Sequence, residues 1–399
     1  MKITDRVYYI GVVDWKANHF HGFDIQGTSY NSYLILDDKK VIIDAVKKEY
    51  YPTFIENIAK IINPEKIDYI IVNHAEMDHS SSLEYLVRDT GAKVVLNKVT
   101  KEYLEKMYDT TDWHFIIVDT NETLDIGERT LKFIRTPMLH WTDNMVTYSS
   151  DGILYSNDAF GQHLATSERF ADQIDGGGRS FYEAKDYFAS IILPYRMFVG
   201  SVLEELSQYD INYICPAHGT VWRGDLIDDI IYKYALWSSD VPRNKAVILY
   251  GSMYGSTEKI AYALADGLVG AGVTVRILNT ESPVNKIMNE LMDARYVLIG
   301  SPTMNANIYP PVRNILSWLE DLKPIDKLGV AFGSYGWVEC ATGHICETFK
   351  KLNYEIIDDE CLKIQFTPSV EELRECREFG RKLGSTTNNN NNNNNNYGN

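Results

Sequence analysis

The sequence is poor in cysteine, in positive charge and in long apolar runs, and each shortage excludes a class of protein. Its five cysteines (Cys215, Cys340, Cys346, Cys361 and Cys376) are odd in number and include no C-x-x-C pair. That argues against a disulfide framework, a zinc ribbon or an iron site built on paired cysteines. Lys and Arg number 39 against 55 Asp and Glu, a net charge of −16, so a nucleic-acid backbone is not an expected partner. No apolar run approaches the roughly 20 residues that cross a bilayer, and no membrane association is expected. The first residues lack the basic start and long apolar stretch of a secretory signal, so a reducing, cytoplasmic location is expected.

At 399 residues, 45% hydrophobic and 24% charged, the chain has room for two domains, each with its own core. Eight of the nine histidines precede residue 240. Over the same stretch, short apolar runs such as Tyr33–Leu36, Val41–Ile43, Ile67–Val72 and Val94–Leu96 read as strands. Helical patterns fall at Pro52–Ile62 and Ser81–Val87, which predicts a layered αβ domain over residues 1–240. The polar, proline-containing segment Ser238–Asn244 is the expected linker. Beyond it strands (246–250, 273–278, 296–300, 329–332) alternate with helices (257–269, 312–322), predicting a doubly wound parallel sheet over residues 245–385. The asparagine-rich tail, 386–399, is expected to be disordered.

The hexapeptide His74-Ala75-Glu76-Met77-Asp78-His79 follows the strand-like run 67–72. In a tight loop there, His74 and Glu76 can converge on one point, and Asp78 and His79 on a second nearby. Imidazoles mixed with carboxylates suit a first-row transition metal, and the carboxylate favours iron or manganese over zinc. His140 after a strand and proline, Asp158 at a strand end and His218 before Gly219 complete seven candidate ligands, with Asp158 the natural bridge. A lone histidine at a strand end is usually structural, but four such residues crowded into one turn need a cation if buried.

In the second half, Gly251-Ser252-Met253-Tyr254-Gly255-Ser256-Thr257 joins a strand to a helix. Its backbone N–H groups, its hydroxyls (Ser252, Ser256, Thr257) and the helix N-terminus make a phosphate cradle. It is neither a Walker A loop nor a dinucleotide fingerprint, and one phosphate fits it better than a pyrophosphate. Two further loops follow strands and could sandwich a flavin ring: Pro302, Thr303, Met304, Asn305 and Asn307 in one, Ser334, Tyr335, Gly336 and Trp337 in the other. The triple pattern resembles flavodoxin, which binds FMN.

The His-x-Glu-x-Asp-His hexapeptide, His140, Asp158 and His218-Gly219, with Asp44 as an early structural aspartate, resemble the metallo-β-lactamase fold. Glu76, where hydrolases of that fold carry histidine, is similar to the flavodiiron proteins, which reduce dioxygen or nitric oxide. The resemblance covers residues from about 5 to 385. It implies an αββα metallo-β-lactamase-like sandwich followed by a flavodoxin-like sheet. It also implies one iron on His74, Glu76 and His140, a second on Asp78, His79 and His218, Asp158 bridging, and FMN in the second domain. His79 is left unligated in some members. His21, His163 and Tyr195, which also match the family's pattern, would donate protons or hydrogen-bond bound oxygen.

The expected reaction is reduction of dioxygen to water, since FMN and two irons together hold the four electrons required. Reduction of nitric oxide to nitrous oxide is the alternative. The resemblance further implies a head-to-tail homodimer or dimer of dimers. Because no electron-donor segment follows residue 385, a separate donor such as rubredoxin or a reduced deazaflavin is expected. Two other readings compete: a zinc hydrolase with an accessory flavodoxin module, which metal analysis would separate, and an electron carrier with a metal-free front domain.

Overall fold

The runs read as strands in the first half are apolar on both faces, and both faces are covered. Along Tyr33–Leu36, Lys40–Ile43, Tyr69–Ile71 and Lys93–Leu96 successive side chains alternate between two cores. Tyr33, Ile35, Val41, Ile43, Ile71 and Val95 face a second sheet, where Leu131, Phe133, Met145, Ile153 and Tyr155 meet them. Leu34, Ile42, Ile70, Val94 and Leu96 face helices, packing with Phe54, Ile58, Leu83, Leu86 and Leu104. The period of two is intact, but no polar alternation betrays it in the sequence, because neither face meets water.

A computed structural model describes residues 1–239, 241–357 and 361–394. It divides into two compact units, Met1–Ser239 and Asp240–Asn399. The first is a sandwich of two six-stranded sheets. In one sheet, Val7–Tyr9, Tyr33–Leu36 and Lys40–Ile43 pair antiparallel, and Lys40–Ile43, Tyr69–Ile71, Lys93–Leu96 and Phe115–Ile117 pair parallel. In the other, Thr123–Asp125, Thr130–Arg135, Met145–Ser149 and Ile153–Asn157 form a meander. Tyr213–Pro216 then pairs parallel to Ile153–Asn157. Helices cover the outside, giving the αββα sandwich.

The second unit is a parallel sheet in the order Thr274–Asn279, Arg243–Tyr250, Ala294–Met304, Leu328–Tyr335, with Glu355–Ile356 and Leu362–Gln365 both beside the last. This is the 2-1-3-4-5 order of a flavodoxin-like sheet, whose switch point lies between its first and third strands.

Local readings shift in places. The strand expected over 67–72 is only Tyr69–Ile71, because Pro64–Lys66 forms a 3₁₀ turn. The helix expected over 52–62 is Tyr51–Ala59. The loop expected after residue 300 is instead a hairpin. Strand Ala294–Met304 runs on and pairs with Asn307–Ile308, turning through Asn305 and Ala306, both at φ 52°. The linker Ser238–Asn244 lies between helix Leu226–Ser238 and strand Arg243–Tyr250, and its residue 240 is outside the described residues. The last helix spans Val370–Asn394, so residues 386–394 of the asparagine tail continue it, and 395–399 lie outside the described residues. No helix among the described residues is long and apolar enough to cross a membrane.

Candidate functional sites

Four loops that follow strand ends carry the candidate metal ligands to one place. His74 lies three residues beyond Tyr69–Ile71, and Glu76 caps the helical turn Met77–Ser80, which holds Asp78 and His79. The second sheet sends His140 past Thr130–Arg135, Asp158 past Ile153–Asn157 and His218 past Tyr213–Pro216. Donor atoms of His74, Glu76, His140 and Asp158 lie within 4.8 Å of one another, and so do those of Asp78, His79 and His218.

Asp158 faces both groups. Its Oδ2 is 3.3 Å from His140 Nε2 and 3.6 Å from His74 Nε2, while its Oδ1 is 3.1 Å from His79 Nε2 and 3.4 Å from His218 Nε2. Glu76 Oε2 is 3.1 Å from His140 Nε2, and Asp78 Oδ2 is 3.1 Å from His218 Nε2. Both oxygens of Asp78 and the Oδ2 of Asp158 are buried without a properly directed hydrogen bond. Buried carboxylate oxygens left without directed bonds amid converging imidazole nitrogens fit shared cations better than a hydrogen-bond network alone. The donor set of imidazoles with three carboxylates suits iron.

Burial alone would push the Asp158 carboxyl up, but the imidazoles of His79, His140 and His218 outweigh it and hold it well below the usual carboxylate range. Glu76 is held down in the same way by His140, His21 and His74. Burial lowers His218, yet the carboxylates of Asp158 and Asp78 close beside it raise it to about 10. The carboxylates are thus favoured in their ionised form, the form that binds metal ions.

Surrounding groups fix the ligands, and several of them carry no sequence signal that singled them out. Asp143 Oδ1 is 3.0 Å from His74 Nδ1 and its Oδ2 accepts from Ala75 N, which fixes the ring with Nε2 toward the cluster. Its position three residues after His140 was the available clue. His218 Nδ1 donates to Ser29 O at 2.7 Å. Tyr187, buried, donates its phenol to Asp158 Oδ1 at 3.1 Å; nothing in its helix Gly178–Tyr187 advertises this. Asp44 (φ 54°) accepts from Asn73 and Asn157 and is structural. Gln162 links two ligand loops, its Nε2 donating to Phe160 O and its Oε1 accepting from Thr220 N and Oγ1. Gly219 must be glycine: φ is +81°, and a Cβ would sit 2.4 Å from Gln162 Oε1.

The three candidate proton donors are placed differently. His21 (φ 49°), partly open to solvent, has Nε2 2.6 Å from Glu76 Oε1. His163 is buried, with Nδ1 3.1 Å from Thr28 Oγ1 and Nε2 without a hydrogen-bond partner. Burial and the neighbouring His218 push its pKa well down, leaving a neutral ring. Tyr195, half-buried, lines a surface depression with His140, Trp141 and Met138.

In the second unit, a cleft of about 400 Å³ opens at the switch point of the sheet, lined by Ser252, Met253, Tyr254, Ser256, Pro302, Thr303, Met304, Asn305, Ser334, Tyr335, Gly336 and Trp337. Phe366 and Thr367, just after strand Leu362–Gln365, join the lining; sequence reading missed them because their strand is short and amphipathic. Gly255 (φ +81°) caps the 15-residue helix Ser256–Gly270, and its N–H donates to Ser252 Oγ. The free N–H groups of that helix start suit one phosphate. Thr257, Gly255 and Asn307 do not line the cleft. Thr257 is buried and hydrogen-bonded to Ser334 Oγ at 2.8 Å, and Asn307 holds Arg313. Tyr254 and Trp337 stand open at the rim, 93% and 89% exposed.

An αββα sandwich with two facing ligand groups, joined to a flavodoxin-like unit, defines a metalloflavoprotein class. Residues 28–219 match the ODP family beta lactamase and residues 248–380 match flavodoxin. The chain is 40% identical to the nitric oxide reductase of Moorella thermoacetica, across 96% of this chain and 98% of that one. It is 37% identical to the rubredoxin-oxygen oxidoreductase of Megalodesulfovibrio gigas, across 89% and 90%. The solved flavodiiron protein of Giardia intestinalis superposes with a TM-score of 0.93 at 36% identity, covering 96% of this chain and 95% of that one. The chain belongs to the flavodiiron protein family.

Proposed function

We propose that this chain is a flavodiiron oxidoreductase that reduces nitric oxide to nitrous oxide, with dioxygen as the second substrate. From sequence alone, dioxygen is the expected first substrate. The order is reversed because the relative named a nitric oxide reductase shares more of the chain than the one named an oxygen oxidoreductase. One observation carries the reading: Asp158 presents one oxygen to each of two ligand groups, as a carboxylate bridging two metal ions would.

In this reading His74, Glu76 and His140 hold one iron, Asp78, His79 and His218 the other, and FMN occupies the second unit's cleft. The metals and flavin, when bound, supply redox electrons and bind the gas. The chain's own residues do the rest. Asp143 keeps His74 in one tautomer, and Tyr187 orients Asp158. His21, hydrogen-bonded to Glu76, is placed to pass protons inward from solvent. Trp141, edge-on to His74 at 5.0 Å between centroids, keeps water from that side. His163 supplies a neutral, desolvated ring nitrogen, and Tyr195 a phenol beside His140.

Electrons would come from a separate soluble donor, such as rubredoxin or a reduced deazaflavin, in the cytoplasm. A head-to-tail homodimer would let the flavin of one chain serve the metal pair of the other. The test is anaerobic purification with iron and FMN quantified, followed by mixing the reduced chain with each gas. Two irons and one flavin per chain with nitrous oxide formed from nitric oxide support the reading. A colourless or zinc-only chain that hydrolyses esters or lactams would sink it.

A further inference from the structure

Two of the five cysteines are buried in hydrophobic cores, Cys215 in the first unit and Cys376 in the second. Cys346 and Cys361 belong to neither core, and both are half-buried. Cys346 lies on helix Ala341–Lys351, and Cys361 immediately precedes strand Leu362–Gln365. Their Sγ atoms are 3.5 Å apart, and neither is bonded to another sulfur. Cys361 holds φ at 59°, a conformation uncommon for a side-chain-bearing residue, in bringing its sulfur to that place.

We propose that Cys346 and Cys361 form a dithiol site that hydrogen peroxide oxidises to an intramolecular disulfide. The hydrogen bond to Cys361, then burial, raises the Cys346 pKa, while Lys350 and Lys363 draw it down. Attack falls to the Cys361 sulfur, which loses its proton, takes one peroxide oxygen and becomes a sulfenic acid. The O–O bond breaks, and the departing hydroxide collects a proton to leave as water. The Cys346 sulfur then displaces the sulfenic oxygen as a second water, and the S–S bond forms. Two thiols lose two electrons and two protons, and peroxide becomes two waters.

The site needs neither iron nor flavin for this step. Its location gives the step a consequence, because Leu362–Gln365 leads directly into Phe366 and Thr367 of the cleft, and Ala341–Lys351 follows the loop bearing Gly336 and Trp337. The disulfide would tie together the two segments that supply one side of that cleft.

The experiment treats the FMN-loaded, full-length chain with one equivalent of hydrogen peroxide, then counts thiols and maps peptides without reduction. Two of the five thiols should disappear, a single 346–361 linkage should be found, and dithiothreitol should restore both. Cys346→Ser should instead leave a dimedone-trappable sulfenic acid on Cys361, and Cys361→Ser should leave no intramolecular linkage. Cys340→Ser, outside the pair, should leave the yield unchanged. An unchanged thiol count, a linkage through Cys340 or between chains, or a linkage that survives in either pair variant would overturn the proposal.

Discussion

Asp158, at the middle of the ligand cluster, is 1% exposed, whereas Trp337, at the rim of the second unit's cleft, is 89% exposed. The first site concentrates charge where little solvent reaches, so its energetics are those of largely desolvated ions steadied by one another. The second is an open cleft whose aromatic rim gains little until a ring covers it. A change in the cluster should therefore be felt at every ligand, while a change at the rim should stay local.

The hardest blow to that contrast is Asp158→Ala. Removing the one carboxylate that faces both groups should abolish iron binding and nitrous oxide formation together, while flavin content stays whole. Emission spectroscopy for iron beside flavin absorbance reads both, and two retained irons would break the comparison. Asp143→Asn should be next. It frees the His74 ring while leaving all seven ligands in place, and losing the partner that orients a ligating histidine weakens metal affinity by roughly 10–100-fold; chelator competition measures it.

Trp337→Ala sharpens the other half. It should weaken FMN binding by about 1 kcal/mol, roughly fivefold in Kd, in a fluorescence titration of the flavin-free chain, with iron content unchanged. The smallest effect is expected away from both sites, at Asp37. Burial would raise that carboxyl, but the N–H groups of Glu128 and Asp38 and the Arg129 guanidinium hold it below its ordinary value. A folded pKa depressed in this way adds stability above the unfolded value of about 3.9. That stability is lost as pH falls through the lower, folded value. Asp37→Asn should thus lower Tm at neutral pH, begin to approach the parent chain as pH falls past about 4 and converge with it below the depressed folded value, with iron and flavin untouched.

The sequence made the centre of the metal site legible because the chemistry sits in the side chains themselves. His74, Glu76, Asp78 and His79 are adjacent, and no bland role suits four such groups in one turn. Asp143 and Tyr187 were silent because their importance lies in what they touch, and contacts between distant segments leave no periodicity. The parallel sheet of the second unit followed from strand–helix alternation, whereas its strand order did not. The Ala294–Met304 hairpin did not, since Asn305 and Ala306 need a left-handed turn that only the asparagine hints at.

The Gln162 amide ties the Phe160 backbone to that of Thr220, so the loops carrying Asp158 and His218 share a brace made of protein atoms. Strain placed on either loop passes to the other through a single side chain. Shortening that side chain, as in Gln162→Asn, would let the two ligands drift apart although neither of them has been altered.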